Sequence, residues 1–135
     1  MTSNQATYID DRYPLSALTG RIIAAAKEVH RDLGPGFREV VYQRALALEL
    51  PTHDLECSRE VWINIHFKGH PVGRTRVDFI ISDAQDSVML EVKAKGIFEE
   101  SDLIQALSYL KASGYKIGLL INFGAKVLEI RRLAN

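Results

Sequence analysis

A change of hydrophobic period near Pro51 constrains this chain more than any other feature. Before it, apolar residues recur at helical spacing; after it, they alternate. Val61, Ile63, Ile65 and Phe67 fall on one face of an extended segment, with Glu60, Trp62, Asn64 and His66 on the other. Lys68-Gly69-His70-Pro71 reads as a turn, and Arg74 to Ile81 alternates again with Val77, Phe79 and Ile81 on one face. A polar loop, Ser82 to Ser87, leads into a third strand, Val88 to Lys95, with Val88, Leu90 and Val92 inward. Both periods within 135 residues point to one α/β (α+β) domain in which helices cover a sheet.

The helical segments have recognisable limits. Ser16 is the expected N-cap of a first helix, along which Leu18, Ile22, Ile23, Ala26, Val29 and Leu33 recur at helical spacing until Gly34-Pro35-Gly36 stops it. A second helix is expected from about Phe37 to Leu50, with Val41, Ala45 and Leu48 as its apolar stripe and Pro51 as its end. A third, capped by Ser101 or a neighbour, runs to about Ser113 with Leu103, Ala106, Leu107 and Leu110 inward and Gly114 as its stop. Lys116 to Asn122 is almost wholly apolar, as befits a strand buried on both faces, and Val127 to Arg131 is a last strand. The expected order is α-α-β-β-β-α-β-β, a mixed sheet flanked by helices. Residues 1–14 lack periodicity and are expected to be a flexible arm before a single domain over 15–135.

Lys plus Arg and Asp plus Glu number 17 each, so no overall field draws the chain to nucleic acid or membrane, although a local basic rim is compatible with that balance. Cys57 is the only cysteine, which excludes an intrachain disulfide and a thiolate-rich zinc site. A cytoplasmic location is the simplest expectation. The first residues lack the apolar core of a signal peptide, and no apolar run is long enough to span a bilayer, so no membrane association is expected.

The chemistry-bearing cluster lies on the second and third strands. Symmetric closure of the Ser82–Ser87 loop pairs Ile81 with Val88, Phe79 with Leu90 and Val77 with Val92. The same register sets Asp78 opposite Glu91 and Arg76 opposite Lys93, two like-charged pairs roughly 5 Å apart at Cβ. Two readings fit this spacing. A divalent cation between Asp78 and Glu91 would relieve the acidic pair; alternatively, Arg76 with Glu91 and Lys93 with Asp78 form a diagonal salt-bridge lattice. Elsewhere, His30 is expected to be a hydrogen-bonded structural histidine, and Trp62 to pack under a helix. Arg74, Arg76, Arg131 and Arg132 are expected on solvated strand edges.

Several ordered blocks add a resemblance. Gly36-Phe37-Arg38-Glu39-Val40-Val41-Tyr42 resembles the Gly-x-x-Glu-x-x-Tyr signature of the GxxExxY family. Ile22 to Gly36, Gln105 to Lys111 and Gly118 to Gly124 resemble it too, so the likeness spans roughly residues 15–133. That family is grouped with the PD-(D/E)XK nuclease-like superfamily. The resemblance implies a restriction-endonuclease-like core and a site in which Glu39, Asp78, Glu91, Lys93 and Gln105 are catalytic. Asp78, Glu91 and the Val92 carbonyl would hold Mg²⁺ or Mn²⁺, and Tyr42, Tyr109 and Arg76 would meet substrate. No proline precedes Asp78, a departure from the superfamily name that its members often show. The implied function is an endo- or exodeoxyribonuclease that cleaves DNA phosphodiester bonds with metal-activated water. The alternative is a catalytically inactive nuclease-fold module that binds nucleic acid or a protein partner. A homodimer is a further possibility.

Overall fold

The computed structural model describes residues 14–135; the expected N-terminal arm falls almost wholly outside that range. Two helices open the fold, α1 over Ser16–Leu33 and α2 over Glu39–Glu49, followed by a 3-10 turn over Leu50–His53. Strands β1 (Glu56–Phe67), β2 (His70–Ser82) and β3 (Ser87–Lys93) come next, then α3 (Glu100–Ser113), β4 (Ile117–Asn122) and β5 (Glu129–Ala134). The five strands lie in sequence order in one sheet; β3 and β4 are parallel, and the other neighbours are antiparallel. The expected order of elements and the mixed sheet are those observed. No helix among the described residues is long and apolar enough to cross a membrane.

The sheet is covered on both faces at its centre. Leu18, Ile22, Ala26 and Val29 of α1 and Tyr42 and Leu46 of α2 pack on Phe79, Ile81, Leu90, Val92, Leu119 and Ile121. On the other face, Ala106 and Leu110 of α3 pack on Val77, Ile80, Met89 and Leu120. Parallel β3 and β4 are therefore buried from both sides, which is why both read as near-continuous apolar runs.

Helix limits follow their punctuation with two corrections. Gly34 ends α1 at a φ of 68° and Gly114 ends α3 at 75°, a left-handed geometry that glycine adopts without steric cost. Ser16 is the first helical residue rather than the cap; Leu15 holds the cap position without a side-chain bond. The α3 cap is Glu99, not Ser101. Glu99 accepts a bond from the backbone of Asp102, and the Asp102 carboxylate accepts one from the Glu99 N–H in return. The apolar stripe expected on α2 holds only in part: Ala45 packs against the core, but Leu48 is 79% exposed, and the buried residues are Tyr42 and Leu46. A buried tyrosine needs a partner for its hydroxyl, and this one donates to the Gly34 carbonyl at 2.6 Å while accepting from the Phe37 N–H at 3.1 Å.

The largest departure from simple alternation is at Asp78. Phe79 and Ile81 face α1 and α2, but Val77, two residues from Phe79, packs on the α3 side. Val61 and Ile63 of β1 also lie on the α3 side, whereas Cys57 lies with the first cluster. Both strands therefore change phase at the same level. The β1–β2 ladder passes from Arg59↔Phe79 to Val61↔Val77, and Glu60 between them has a left-handed φ of 52°. That region costs a non-glycine residue of order 1–3 kcal/mol and tends to occur at functional sites. The expectation that Val77, Phe79 and Ile81 share a face is corrected accordingly.

Candidate functional site

The β2–β3 pairing begins as the loop predicts, with Ser82↔Ser87, Ile81↔Val88 and Phe79↔Leu90, and Phe79↔Leu90 is its last rung. Beyond it the strands part, and side chains replace the ladder. The Asp78 N–H donates to Glu91 Oε1 at 3.0 Å, and the Val92 N–H donates to Asp78 Oδ2 at 2.8 Å. Asp78 thus sits just past the last β2–β3 rung and at a skipped level of the β1–β2 ladder, which resumes at Val61↔Val77. The diagonal lattice of Arg76 and Lys93 does not form. Arg76 lies 4.0 Å from Glu60 and 5.3 Å from the Trp62 ring, out on the β1–β2 hairpin.

Glu91 is 5% exposed and Asp78 half-buried, and the Glu91 carboxylate is held against Asp78 by the Asp78 N–H. Burial, then the neighbouring Asp78 charge, pushes the Glu91 carboxyl up to about 8. Burial raises Asp78 as well, against the opposing pull of the Val92 N–H and of Lys93. Ionising both carboxyls together is disfavoured here, and a hard divalent cation is the natural means of offsetting that repulsion. The donor set therefore fits Mg²⁺ or Mn²⁺, with Asp78, Glu91 and the adjacent Val92 carbonyl as the oxygens at hand. Among the described residues no group of three or more His, Cys, Asp or Glu forms a cage, so most of such an ion's coordination would come from water or substrate.

Lys93 sits two residues beyond Glu91. Its Nζ donates to Gln105 Oε1 at 3.0 Å and lies 3.9 Å from Asp102 Oδ1. Gln105, on α3, is thus the residue that holds Lys93 in place. Glu39, the first residue of α2, comes from the opposite layer. Its carboxyl is raised by burial first and then by Asp78, while Lys93 draws it down. Glu39 therefore shares the electrostatic environment of the pair, and Gln43 lies one turn on, its amide 3.5 Å from the Glu39 carboxylate. Glu39, Asp78, Glu91, Lys93 and Gln105 are brought together.

The three expected substrate contacts fare differently. Tyr42 is fully buried and stacks on Phe123 at 5.0 Å, so it is a structural ring closed to substrate. Its hydroxyl pins Gly34 to Phe37, which sets where α2 starts and hence where Glu39 points. Tyr109 is half-buried against the α3-side core. Arg76 is exposed on the hairpin, beside Trp62. His30 is structural as expected, its Nε2 2.9 Å from the Ala125 carbonyl.

Several contributors escape a reading of the sequence alone. Asp102, 6% exposed, binds Lys95 Nζ at 3.0 Å as well as facing Lys93. Burial works to raise its carboxyl, but the Glu99 N–H and Lys95 outweigh that and hold it below the usual range. Asn122, fully buried, accepts from the Lys95 N–H at 2.9 Å and donates to the Lys95 carbonyl at 2.8 Å. The Phe123 N–H donates to the Lys93 carbonyl at 2.8 Å, and a Cβ at Gly124 would collide with the backbone of Ala94 and Lys95. Asn122, Phe123 and Gly124 thus clamp the chain that carries Lys93. The one sequence signal for this clamp is the Asn122-Phe123-Gly124 run just after an apolar strand.

Comparison with known proteins agrees with this geometry. No curated protein matches the chain. Among solved structures it is similar to the crystal structure of SSO0001, at 16% identity and a TM-score of 0.55, over 97% of this chain and 62% of that one. At that identity the likeness concerns the fold alone, and this chain spans 62% of that protein's length. A family model described as the PD-(D/E)XK nuclease superfamily matches residues 16–133, nearly the whole described chain. With its mixed sheet between helical layers, this chain belongs to the PD-(D/E)XK nuclease superfamily.

Proposed function

We propose that the chain is a Mg²⁺- or Mn²⁺-dependent nuclease that hydrolyses phosphodiester bonds in DNA. The observation that carries this reading is the Asp78 break: past the last β2–β3 rung, one carboxylate is set against a second, buried one, beside a lysine held by Gln105 and opposite Glu39. A fold built only for stability has little use for two carboxyls that repel once ionised. A bound divalent cation would polarise the scissile phosphate and promote ionisation of the attacking water.

The chain's own residues do the rest. Asp78 and Glu91 supply the negative charge that holds the cation, and the Val92 N–H fixes the Asp78 carboxylate so that Oδ1 remains available. Gln105 orients the Lys93 ammonium, which has three donors and so can also reach a phosphate oxygen or the attacking water. Glu39 adds a second carboxylate layer from α2 and can accept a proton at the margin of the site. The test is cleavage of labelled duplex and single-stranded DNA with Mg²⁺ or Mn²⁺. Asp78→Ala and Lys93→Ala should each abolish cleavage while leaving the circular dichroism spectrum unchanged. Equal residual cleavage in both variants would mark a contaminant and sink the assignment.

A second reading is a non-catalytic module that binds nucleic acid or a protein. It is favoured by the finding that, among the described residues, no group of three or more His, Cys, Asp or Glu is arranged to hold a metal. Calorimetry discriminates: absence of Mn²⁺ binding, with or without DNA, selects the module.

A further inference from the structure

Trp62 contradicts the expectation drawn from its strand position. It is 52% exposed, and the Arg74 and Arg76 guanidinium carbons lie 4.2 Å and 5.3 Å from its ring centre. Trp62 is the Cα partner of Arg76, and Asn64 of Arg74, so these residues share one face of the β1–β2 hairpin. Every residue from Asn64 to Arg74 is exposed. The tip turns tightly at Lys68 and Gly69, whose φ values are 49° and 79°. Val61 and Ile63 pack on the α3 side, so at about 3.3 Å per residue the wholly exposed part of β1, Asn64 to Phe67, is roughly 13 Å long.

Charge is segregated onto this arm. Residues 61–77 hold three Lys or Arg and two His, yet none of the chain's 17 Asp and Glu. The remainder of the protein is correspondingly acidic. Two guanidinium groups gathered at one ring repel each other, and the nearest carboxylate, Glu60, only reaches Arg76 at 4.0 Å. Such a cluster is stabilised by cation–π attraction while it waits for a polyanion. The arm is also continuous with the candidate site, because Arg76 lies two residues before Asp78.

We propose that this arm grips the phosphate backbone of duplex DNA. Lys68, Arg74 and Arg76 make the contacts, and Trp62 is the platform that keeps two arginines together. A two-stranded ribbon of this size fits a major groove about 12 Å wide, and the strand it holds is led toward Asp78 at its base. The choice of DNA rests on the nuclease reading above.

Trp62 is the only tryptophan, so its emission reports directly on the arm. Titrating the purified chain in EDTA with a duplex of about two helical turns should change that emission. Anisotropy of a labelled duplex then gives affinities for the variants. Arg74→Ala/Arg76→Ala should weaken binding at least about tenfold and lower the slope of log K against log salt by about 2. Arg74→Lys/Arg76→Lys should recover most of that slope. Lys116→Ala, on an exposed residue before β4, should change the slope by no more than about 1. These arm residues are exposed, so melting temperatures should be unchanged.

Asp78→Ala should still bind duplex with wild-type salt dependence, which separates this proposal from the catalytic one. If Asp78→Ala loses cleavage but the arginine double variant binds with an unchanged slope, the arm proposal is overturned and the nuclease reading stands. Arm-dependent binding to RNA without binding to duplex DNA, or concentration-dependent self-association abolished by the same double variant in place of DNA binding, also overturns it.

Discussion

Replacing Glu91 with glutamine should make the metal-free protein more stable in mildly alkaline buffer. The folded Glu91 carboxyl titrates at about 8, mainly because it is buried and secondarily because Asp78 adjoins it, against an ordinary value of 4.5. Between those values the folded protein keeps a proton that the unfolded chain has released. Stability therefore falls as pH rises through that window, and the penalty is absent below the unfolded value. At about 1.36 kcal/mol per unit, a shift of this size sets a ceiling on the order of 5 kcal/mol. Asp78 is raised too, so the two carboxyls titrate as a pair and roughly half that ceiling is the expected gain. Glutamine keeps an oxygen for the Asp78 N–H and offers its amide hydrogens to the Asp78 carboxylate, satisfying the pair without a titrating group. Urea unfolding in EDTA, followed by circular dichroism at about pH 5 and about pH 8.5, measures the effect. Wild type should lose stability between the two, and Glu91→Gln should lose much less. Added Mg²⁺ should restore wild type at the higher pH and leave the variant unmoved. Equal pH slopes for the two proteins in EDTA would refute the disfavoured ionisation of the pair and, with it, the reason for placing a cation there.

Two further predictions address how the site is held. Gly124→Ala forces a Cβ into the Ala94–Lys95 backbone and should cost about 2–3 kcal/mol in thermal unfolding; an unchanged melting temperature would contradict the clamp. Tyr42→Phe removes the hydroxyl that joins Gly34 and Phe37 and should cost about 1–3 kcal/mol in urea, because the Gly34 carbonyl loses its donor. If the reading of Tyr42 as a positioning ring is right, any loss of cleavage in that variant appears in the rate while Mg²⁺ affinity is kept.

Much of the architecture was legible because it is written in local patterns. β4 is apolar at nearly every position and is buried on both faces; Gly34 and Gly114 stop helices through their own backbone freedom; the Ser82–Ser87 loop sets the register of the rungs beside it. The α2 stripe was only partly legible, since Val40, Val41, Tyr42, Ala45, Leu46, Ala47 and Leu48 surround the helix with apolar groups and leave its buried face to be chosen by α1 and the sheet. The phase change at Asp78 was hidden for a different reason. Alternation counts residues along one strand, whereas this change of phase occurs on β1 and β2 together and is decided by the neighbours on both sides. That error carried Arg76 into the site on paper, although the protein places it on the hairpin. Asp102 was hidden behind an unusual cap, a glutamate where serine or threonine is expected. The resemblance to a known signature supplied Glu39, which no strand pattern could have joined to Asp78 from another layer.

The kink at Glu60 and Asp78 also bears on how such a protein can change over evolutionary time. It divides each of the two strands into a segment whose phase is dictated by the core and a segment whose phase is its own. Lengthening the arm by a residue pair on each strand near Lys68-Gly69 preserves the facing of every side chain below, whereas one residue added to one strand alone must be absorbed as another bulge. Selection can therefore lengthen, shorten or recharge the arm in paired steps while the carboxylates at its base stay where they are. Substrate preference and bond cleavage are thereby separable inheritances within one continuous pair of strands.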